Sequence, residues 1–528
     1  MKKDTFTTPN TTPKSPLPEY HEQEEFQNRS HKLQEIRSYG IDPYPHKFPE
    51  GPSLTSIAKT YANDCSFHAE DAAEGKSPYI CTSGRLVLFR AMGKNAFGQI
   101  QDATGKLQFM CNRELTEVVG LDPEKAEIKP LKFIEKKLDL GDIIGIEGHL
   151  FLTMKNELTI YVKKLTLLCK SLLPLPDKYS GLQDKGVRYH KRWLDLIANQ
   201  ESMDRLKMRS TIVRLVRNYM ESHEFLEVET PILQEIYGGA EAAPFTTTLE
   251  ARHQPMYLRI ALEISLKKLL VGGLPKVYEI GKIFRNEGID KTHNPEFTML
   301  EAYAANWDYR DMMRFVEELF AHIAKTLFGK TTLEIEQKDR SFTIDLKTPW
   351  TRITMKESIK AFASIDVDQM DDAAIRKLLK KETDLSPLEL DSAKRGHLIA
   401  FLFEEFVEDK LIQPHHITDH PIETTPFCKL HREEKHKNAG IVERFETFIL
   451  GTEMVNVYSE LNDPELQRDL LTSQRDARKE EVYPIDEDFL EAICQGMPPA
   501  AGVGIGIDRL VMLLTQAKSI KDVLYFPL

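Results

Sequence analysis

Residues 502–514, GVGIGIDRLVMLL, place glycine at every second position of an apolar run: Gly502, Gly504 and Gly506. Side chains alternate between the two faces of a strand, so this pattern builds a strand with one bare face. A bare face admits close approach by a ligand or another backbone, or lets the strand pack tightly on a helix. The run then turns into a helix that opens on Arg509.

The chain has 528 residues, too many for one core, so two or three domains are expected. Hydrophobic residues make up 41% and charged residues 29%, as in soluble globular proteins. No stretch approaches the ~18 consecutive apolar residues of a membrane span, so no membrane association is expected. The two N-terminal lysines lead into no apolar run, which argues against a secretory signal. Cys65, Cys81, Cys111, Cys169, Cys428 and Cys494 form no C-x-x-C pair. That argues against structural zinc and disulfides and fits a reducing cytoplasm. The formal net charge of −12 speaks against a large phosphate-tracking surface, though not against a local basic patch.

Composition and periodicity divide the chain. Residues 1–25 are rich in Thr, Pro, Ser and Glu and read as a disordered extension. A helical segment, 26–75, follows. In NRSHKLQEIRSYG, Leu33 and Ile36 share one face among basic residues, and Gly40 is a stop signal. That face is too narrow for a core helix; it lies either on RNA or against its own domain. Residues 76–172 hold short alternating or β-branched runs with turn signals between them. Five such strands predict an OB-fold barrel, which binds oligonucleotides on one face. Residues 173–200 read as a linker. From 201 to 528 strands and helices mix without regular alternation. This predicts an α+β domain with a mixed, mainly antiparallel sheet flanked by helices, and a charged helical insertion at about 350–440.

Two further segments are dense in polar groups. FRNEG (284–288) and HNPEFTMLEAY (293–303) close a strand pair. Glu279, Ile283 and Arg285 share one face, and Phe297, Glu301 and Tyr303 share another, so a hairpin sets an arginine, an aromatic ring and a carboxylate over one surface, or is simply a charged surface hairpin. In RFETFILGTEMVNVYSELND, Glu446 and Glu453 lie symmetrically about Leu450-Gly451. An antiparallel hairpin places them opposite each other, which is unfavourable unless a cation intervenes; magnesium suits that gap, and solvent exposure is the alternative. Asn456, Tyr458 and Glu460 share a face at period two, and a bulge or turn is expected between Glu453 and Asn456. There is no phosphate loop of the G-x-x-x-x-G-K-[ST] kind, no dinucleotide fingerprint, no nucleophile elbow and no H-E-x-x-H.

FLEVETPIL with Pro231, FRNEG…HNPEFTMLE and GIGIDRLVML with Arg509 together resemble the three ordered signature motifs of class II aminoacyl-tRNA synthetases. The resemblance runs from the helix near residue 29 to the C-terminus. Barrel first and catalytic domain second is the order of the aspartate, asparagine and lysine subgroup. GGAEAAPF (238–245), MYLRIALEISLKKLLVGG (256–273) and NVYSELND (456–463) look like the lysine enzyme. Two carboxylates around an ammonium also suit lysine and repel an acidic substrate. The family usually has Phe where Tyr458 stands.

The resemblance implies that lysine is activated with ATP and loaded onto tRNA(Lys), with magnesium as cofactor. Arg285 and Arg509 are then the catalytic arginines: Arg285 grips the α-phosphate and the lysine carboxylate, and Arg509 binds the γ-phosphate or stacks on the bent nucleotide. Glu287 and Phe297 hold the adenine, His293 and Asn294 lie over ATP, and Glu446 and Glu453 bind magnesium. Gly239 and Glu263 receive the α-ammonium of lysine, and Glu301, Tyr303 and Glu460 its ε-ammonium, with Asn456 and Tyr458 lining the pocket. In the barrel, Phe97, Gln108 and Glu157 resemble the anticodon contacts; for Phe97 a place in the barrel core is the alternative. The helix at 205–224 implies a homodimer. The rivals are an asparagine or aspartate enzyme, a paralogue that lysylates a translation factor but lacks the barrel, and a non-catalytic tRNA-binding protein.

Overall fold

The computed structural model describes residues 18–61, 66–122, 126–176, 182–337, 340–477 and 485–528. It forms two compact units, one of residues up to 183 with 197–199, the other of 184–196 with 200–528. Most of the expected disordered extension lies outside the described residues. Its last part does not read as disordered: Glu19–Glu22 forms a 3-10 turn and a helix begins at Glu24.

In the first unit a five-stranded barrel is built from β1 (Tyr79–Met92), β2 (Asn95–Gln101) and β3 (Lys106–Asn112), then, after a short added β4 (Glu117–Val118), β5 (Ile143–Leu152) and β6 (Leu158–Cys169). The strands pair antiparallel, and a parallel β3–β6 ladder closes the cylinder. Burial along β2 alternates at every residue. Ala96 and Ile100 enter the core with Leu107 and Phe109 of β3, while Phe97 and Gln99 face outward. The helix α1 (Glu24–Ser38) packs on this unit, so of the two placements left open it takes the one against its own domain. Its narrow face nevertheless reaches the core through Ile36, and Arg29, nearer the start of the helix, is buried as well. The Arg29 guanidinium donates to the carbonyls of Leu140 (3.1 Å) and Leu173 (3.2 Å).

The second unit centres on an eight-stranded sheet. Its strands are β7 (Leu226–Glu227), β8 (Lys276–Phe284), β9 (Glu296–Ala305), β10 (Thr351–Thr354), β11 (His415–Pro421), β12 (Ile441–Ile449), β13 (Thr452–Ser459) and β14 (Ala500–Gly506). They lie in the order β10-β11-β12-β13-β14-β9-β8-β7. Only the edge pairs β10–β11 and β7–β8 are parallel. One face packs on α2 (Gln200–Ser222) and on α3 (Tyr309–Phe328), around Ile212, Val216, Met312, Val316, Phe320, Phe445, Val457 and Val503. The second of these helices has clear sequence stops. Asp308 caps its first turn through the amides of Arg310 and Asp311, and Gly329 ends it at φ +72°.

Three segments differ from the sequence expectation. LEVETPIL, whose period suggests one strand, is broken in two: Leu226–Glu227 joins the main sheet and Leu233 starts a short strand of a separate sheet, because between them the Thr230 amide bonds the Glu279 carboxylate (2.9 Å) and Pro231 has no N–H to offer a ladder. The linker 173–200 is partly helical. Arg192 is buried there, paired with Asp195 (2.6 Å) and donating to the carbonyl of Leu524 (3.1 Å), an anchor too distant in sequence to be read locally. The segment 350–440 is not purely helical. It supplies β10 and β11 to the main sheet, and its helices share a core of Ile359, Leu402 and Phe403 with Ile417 and Phe448 of the sheet.

Arg209 of α2 forms a buried ion pair with Asp508, at the start of the helix α4 (Ile507–Thr515), and Asp508 also accepts from the Thr298 amide (2.7 Å). Arg209→Met leaves Asp508 buried without its cation and is expected to cost about 3–5 kcal/mol. The second unit's urea midpoint should fall accordingly; a loss under about 1 kcal/mol would contradict a structural role for the pair.

Candidate active site

The site grows from the glycine strand β14. On one side β9 sets Glu301 opposite Gly504 and Tyr303 opposite Gly502. On the other side β13 sets Asn456 opposite Gly504 and Tyr458 opposite Gly502. No helix covers the bare face: Gly502, Gly504 and Gly506 line a cavity, and side chains of the neighbouring strands lean over them. A Cβ at Gly502 would lie 2.1 Å from Glu460 Oε1 and 2.4 Å from the Tyr303 ring, and one at Gly504 would lie 2.7 Å from the Met299 methyl. Glycine is required so that neighbouring strands can lean their side chains across.

A cavity of about 480 Å³ opens over this floor. It is lined by Gly239, Glu263, Arg285, Glu287, His293, Asn294, Phe297, Glu301, Tyr303, Glu446, Glu453, Asn456, Tyr458 and Arg509. Glu460 is the exception among the predicted residues of this unit: it is fully buried directly behind the lining, not on it. Gly239 takes φ +85°, and a Cβ there would meet that of Glu263 at 3.1 Å, which explains the glycine at this close approach.

The deep end is acidic and dry. Glu301 accepts from the Leu262 amide (2.9 Å) and the Tyr303 hydroxyl (3.0 Å). Burial, with Glu263 nearby, pushes its carboxyl up to about 7. Glu263 opens the helix α5 (Glu263–Val271) and accepts from the Tyr458 hydroxyl (2.7 Å) and from Lys267 one turn on. Lys267 also pairs with Glu460.

The mouth is wetter. The Arg285 guanidinium stacks over Phe297, 5.3 Å from its centroid, and donates to the Ile260 carbonyl (3.3 Å). Arg509 donates to the Glu453 carbonyl (2.7 Å) and carboxylate (3.2 Å) and meets His293 Nε2 (3.2 Å), while His293 Nδ1 meets Asp290 (2.8 Å). Asn294 donates to the Glu296 carbonyl (2.6 Å), and its own buried oxygen has no partner.

The two acids Glu446 and Glu453 are not opposite each other. Glu446 pairs with Asn456 and Glu453 with Phe448. The turn at Leu450-Gly451, with left-handed φ values of +54° and +67°, sets Glu453 against Phe448, and Met454 is then an extra residue in the ladder. This bulge lies between Glu453 and Asn456 and brings Glu453 onto the face of Glu446 and Asn456. Glu446 is held by Arg444, which also donates to Asn456 (3.1 Å).

Residues the sequence reading left out include Lys267, Arg444, Asp290 and Asp508. Lys267 had a signal, since it lies four residues after Glu263 on a helix. Arg444 did too, being two residues before Glu446 on a strand. The roles of Asp290 and Asp508 depend on loop and helix placement.

In the barrel unit, Phe97 is half-buried on the outer face against Met110, Phe151 and Tyr161, apart from the main core. Gln108 donates to the Thr159 hydroxyl (2.9 Å), which donates in turn to the Glu157 carbonyl (3.0 Å). Glu157 is exposed.

Residues 80–168 match the OB-fold nucleic acid binding domain and residues 184–528 the class II tRNA synthetases (D, K and N). A lysine–tRNA ligase of Chlamydia pneumoniae is 58% identical over 96% of this chain and 97% of its own. The chain belongs to the class II lysine–tRNA ligase family. Lysine–tRNA ligases of Moorella thermoacetica (44% identical, over 94% and 96%) and Fervidobacterium nodosum (41%, over 95% and 93%) span the same length. It is thus an aminoacyl-tRNA synthetase with an OB-fold unit ahead of its catalytic unit.

For such an enzyme the glycine floor makes a clear demand. Gly502→Ala drives a methyl into Glu460 and Tyr303, an overpacking of about 1–3 kcal/mol. Lysine-dependent ATP–pyrophosphate exchange should show a lysine KM raised at least ~5-fold with the ATP KM little changed. An unchanged lysine KM would remove Gly502 from the account.

Proposed function

We propose that this chain activates lysine with ATP to lysyl-adenylate and transfers it to the 3′ end of tRNA(Lys), releasing AMP and pyrophosphate. The observation that carries the lysine assignment is the convergence of Glu263 and Glu301, with Glu460 buried behind them, at the deep end of a cavity whose mouth holds Arg285 and Arg509. Buried carboxylates favour a dicationic side of a substrate and exclude an acidic one.

Lysine enters with its carboxylate toward Arg285. Glu263, beside Gly239, takes the α-ammonium. Glu301 and Tyr303, with Glu460 behind them, take the ε-ammonium, and Asn456 and Tyr458 form the walls. Adenine stacks on Phe297 beside Glu287, while His293 and Asn294 cover the nucleotide. The lysine carboxylate attacks the α-phosphorus in line, and pyrophosphate leaves. No protein nucleophile is involved. Arg285 neutralises charge developing on the α-phosphate and Arg509 steadies the departing end, so the chain's contribution is orientation and fixed charge. The terminal ribose hydroxyl of tRNA then attacks the adenylate carbonyl, and AMP leaves.

Magnesium fits Glu446 and Glu453. Each carboxylate is engaged on one oxygen, by Arg444 and Arg509, which leaves the other for a metal. Nearby Glu408 is pushed up to about 8 by burial and by Glu404, Glu446 and Glu453, a crowding of negative charge that a cation relieves. When bound, the metal supplies further neutralisation of the phosphates.

The outward Phe97 suits stacking on an unpaired anticodon base, with Gln108 and Glu157 beside it. Exposed Leu226, Ile232 and Leu233, just after α2, suit a homodimer contact. No helix among the described residues is long and apolar enough to cross a membrane, and a cytoplasmic setting fits a translation enzyme.

Charging of tRNA with radiolabelled lysine tests the reading; adenylate formation without transfer would favour a different acceptor. Arg285→Ala should lower the exchange rate roughly 100-fold or more, as for loss of a preorganised donor to a charged transition state. An unchanged rate would exclude its role. Glu301 is protonated below about pH 7, and an ammonium binds its ionised form. The lysine KM should therefore fall as pH rises from 6 to 8, approaching about tenfold per unit on the acid side. A flat profile would contradict direct contact with Glu301.

A further inference from the structure

Lys267 is fully buried one turn along α5 from Glu263 and does not line the cavity. Its ammonium pairs with Glu263 on one side and Glu460 on the other. Three aromatic rings surround it, with centroids at 4.9 Å (Phe427), 5.6 Å (Tyr458) and 5.9 Å (Phe489). Nothing in the reaction as derived above uses this group.

Its charge matters to the pocket beside it. Glu263, Glu301 and Glu460 bring three carboxyl groups to one dry wall, and an ammonium binds their ionised forms. Three carboxylates so close cannot all ionise without a cation among them. Lys267 supplies one positive charge that never leaves. Two negative charges then remain, and a lysine molecule carries two ammonium groups, its carboxylate being directed to Arg285. The two carboxylates that Lys267 joins also come from different parts of the fold, Glu263 from a helix and Glu460 from the end of β13. The ammonium therefore fixes their separation as well as their charge. Tyr458 completes the hold on Glu263 through its second oxygen (2.7 Å). Glu460 keeps Oε1 without a hydrogen-bond partner, on the side of Gly502 and Tyr303.

We propose that Lys267 is a positioning residue for lysine recognition: its buried ammonium orients Glu263 and Glu460 and leaves the pocket the charge that one lysine neutralises. This rests on the reading that these carboxylates receive the substrate's ammonium groups.

The test is steady-state ATP–pyrophosphate exchange by full-length Lys267→Met, with lysine and ATP varied in turn. Removing one partner of a buried charge pair should raise the lysine KM by roughly 30-fold or more. The ATP KM should stay within about threefold, because the ATP groups do not touch Lys267, and Lys267→Arg, which keeps the charge, should recover most of the loss. An unchanged lysine KM overturns the proposal. A lowered one also does, since it would make Lys267 a competitor for the substrate's place. Lys267→Gln, which retains a donor to Glu263 without the charge, is the second variant should the methionine form not fold, and the same split is expected of it. Failure of both to fold, or lysine and ATP KM values that move together, assigns Lys267 to the core alone and overturns the proposal. Wild-type enzyme that shows no lysine-dependent exchange would instead sink the reading of the site itself.

Discussion

Three carboxylates buried along one sheet surface set the terms for the rest of the catalytic unit. Glu263, Glu301 and Glu460 are 3%, 4% and 0% exposed. Groups so deeply placed require donors that do not move. The fold provides them from separate elements: the Leu262 amide ahead of a helix, hydroxyls from β9 and β13, and the Lys267 ammonium. The glycine strand makes the convergence sterically feasible. Any side chain at Gly502 would occupy the space of Glu460 and Tyr303. The opposite face of the same sheet is sealed by α2 and α3, so the floor has a rigid backing.

The two ends of the cavity divide the work. At the deep end low polarity makes each charge interaction strong and discriminating. At the mouth, Arg509, His293 and Glu453 are more open, and their contacts run partly through backbone. Such groups can exchange present partners for phosphate. Recognition is thus placed where charges are fixed, and phosphate chemistry where they can reorganise.

Much of this was legible because strands alternate with period two. The faces of β9 and β13, and the bare face of β14, followed from spacing alone. Failures came where pairing depended on something other than period. Glu446 and Glu453 seemed opposite, but the tight turn at Leu450-Gly451 already pairs Glu453 with Phe448, and the expected bulge falls beyond it at Met454. Two apolar residues looked too few to bury α1, yet Arg29 finds carbonyls in distant loops. Residues 350–440 looked like an insertion because the partner of β11 is β12, beyond the segment's end. Lys267 was visible as a helical neighbour of Glu263, but its second partner comes from another strand.

The central claim is that fixed, buried acids read the far end of the substrate. The most direct measurement compares lysine with norleucine, which lacks the ε-ammonium and ends in a methyl at the ε-carbon, in wild-type ATP–pyrophosphate exchange. A site built to pair a polar group rejects the analogue lacking it by about 10⁴ or more in kcat/KM. That ratio is the result expected here. A ratio below about 10², the range of an apolar pocket sorting by shape, would contradict the account.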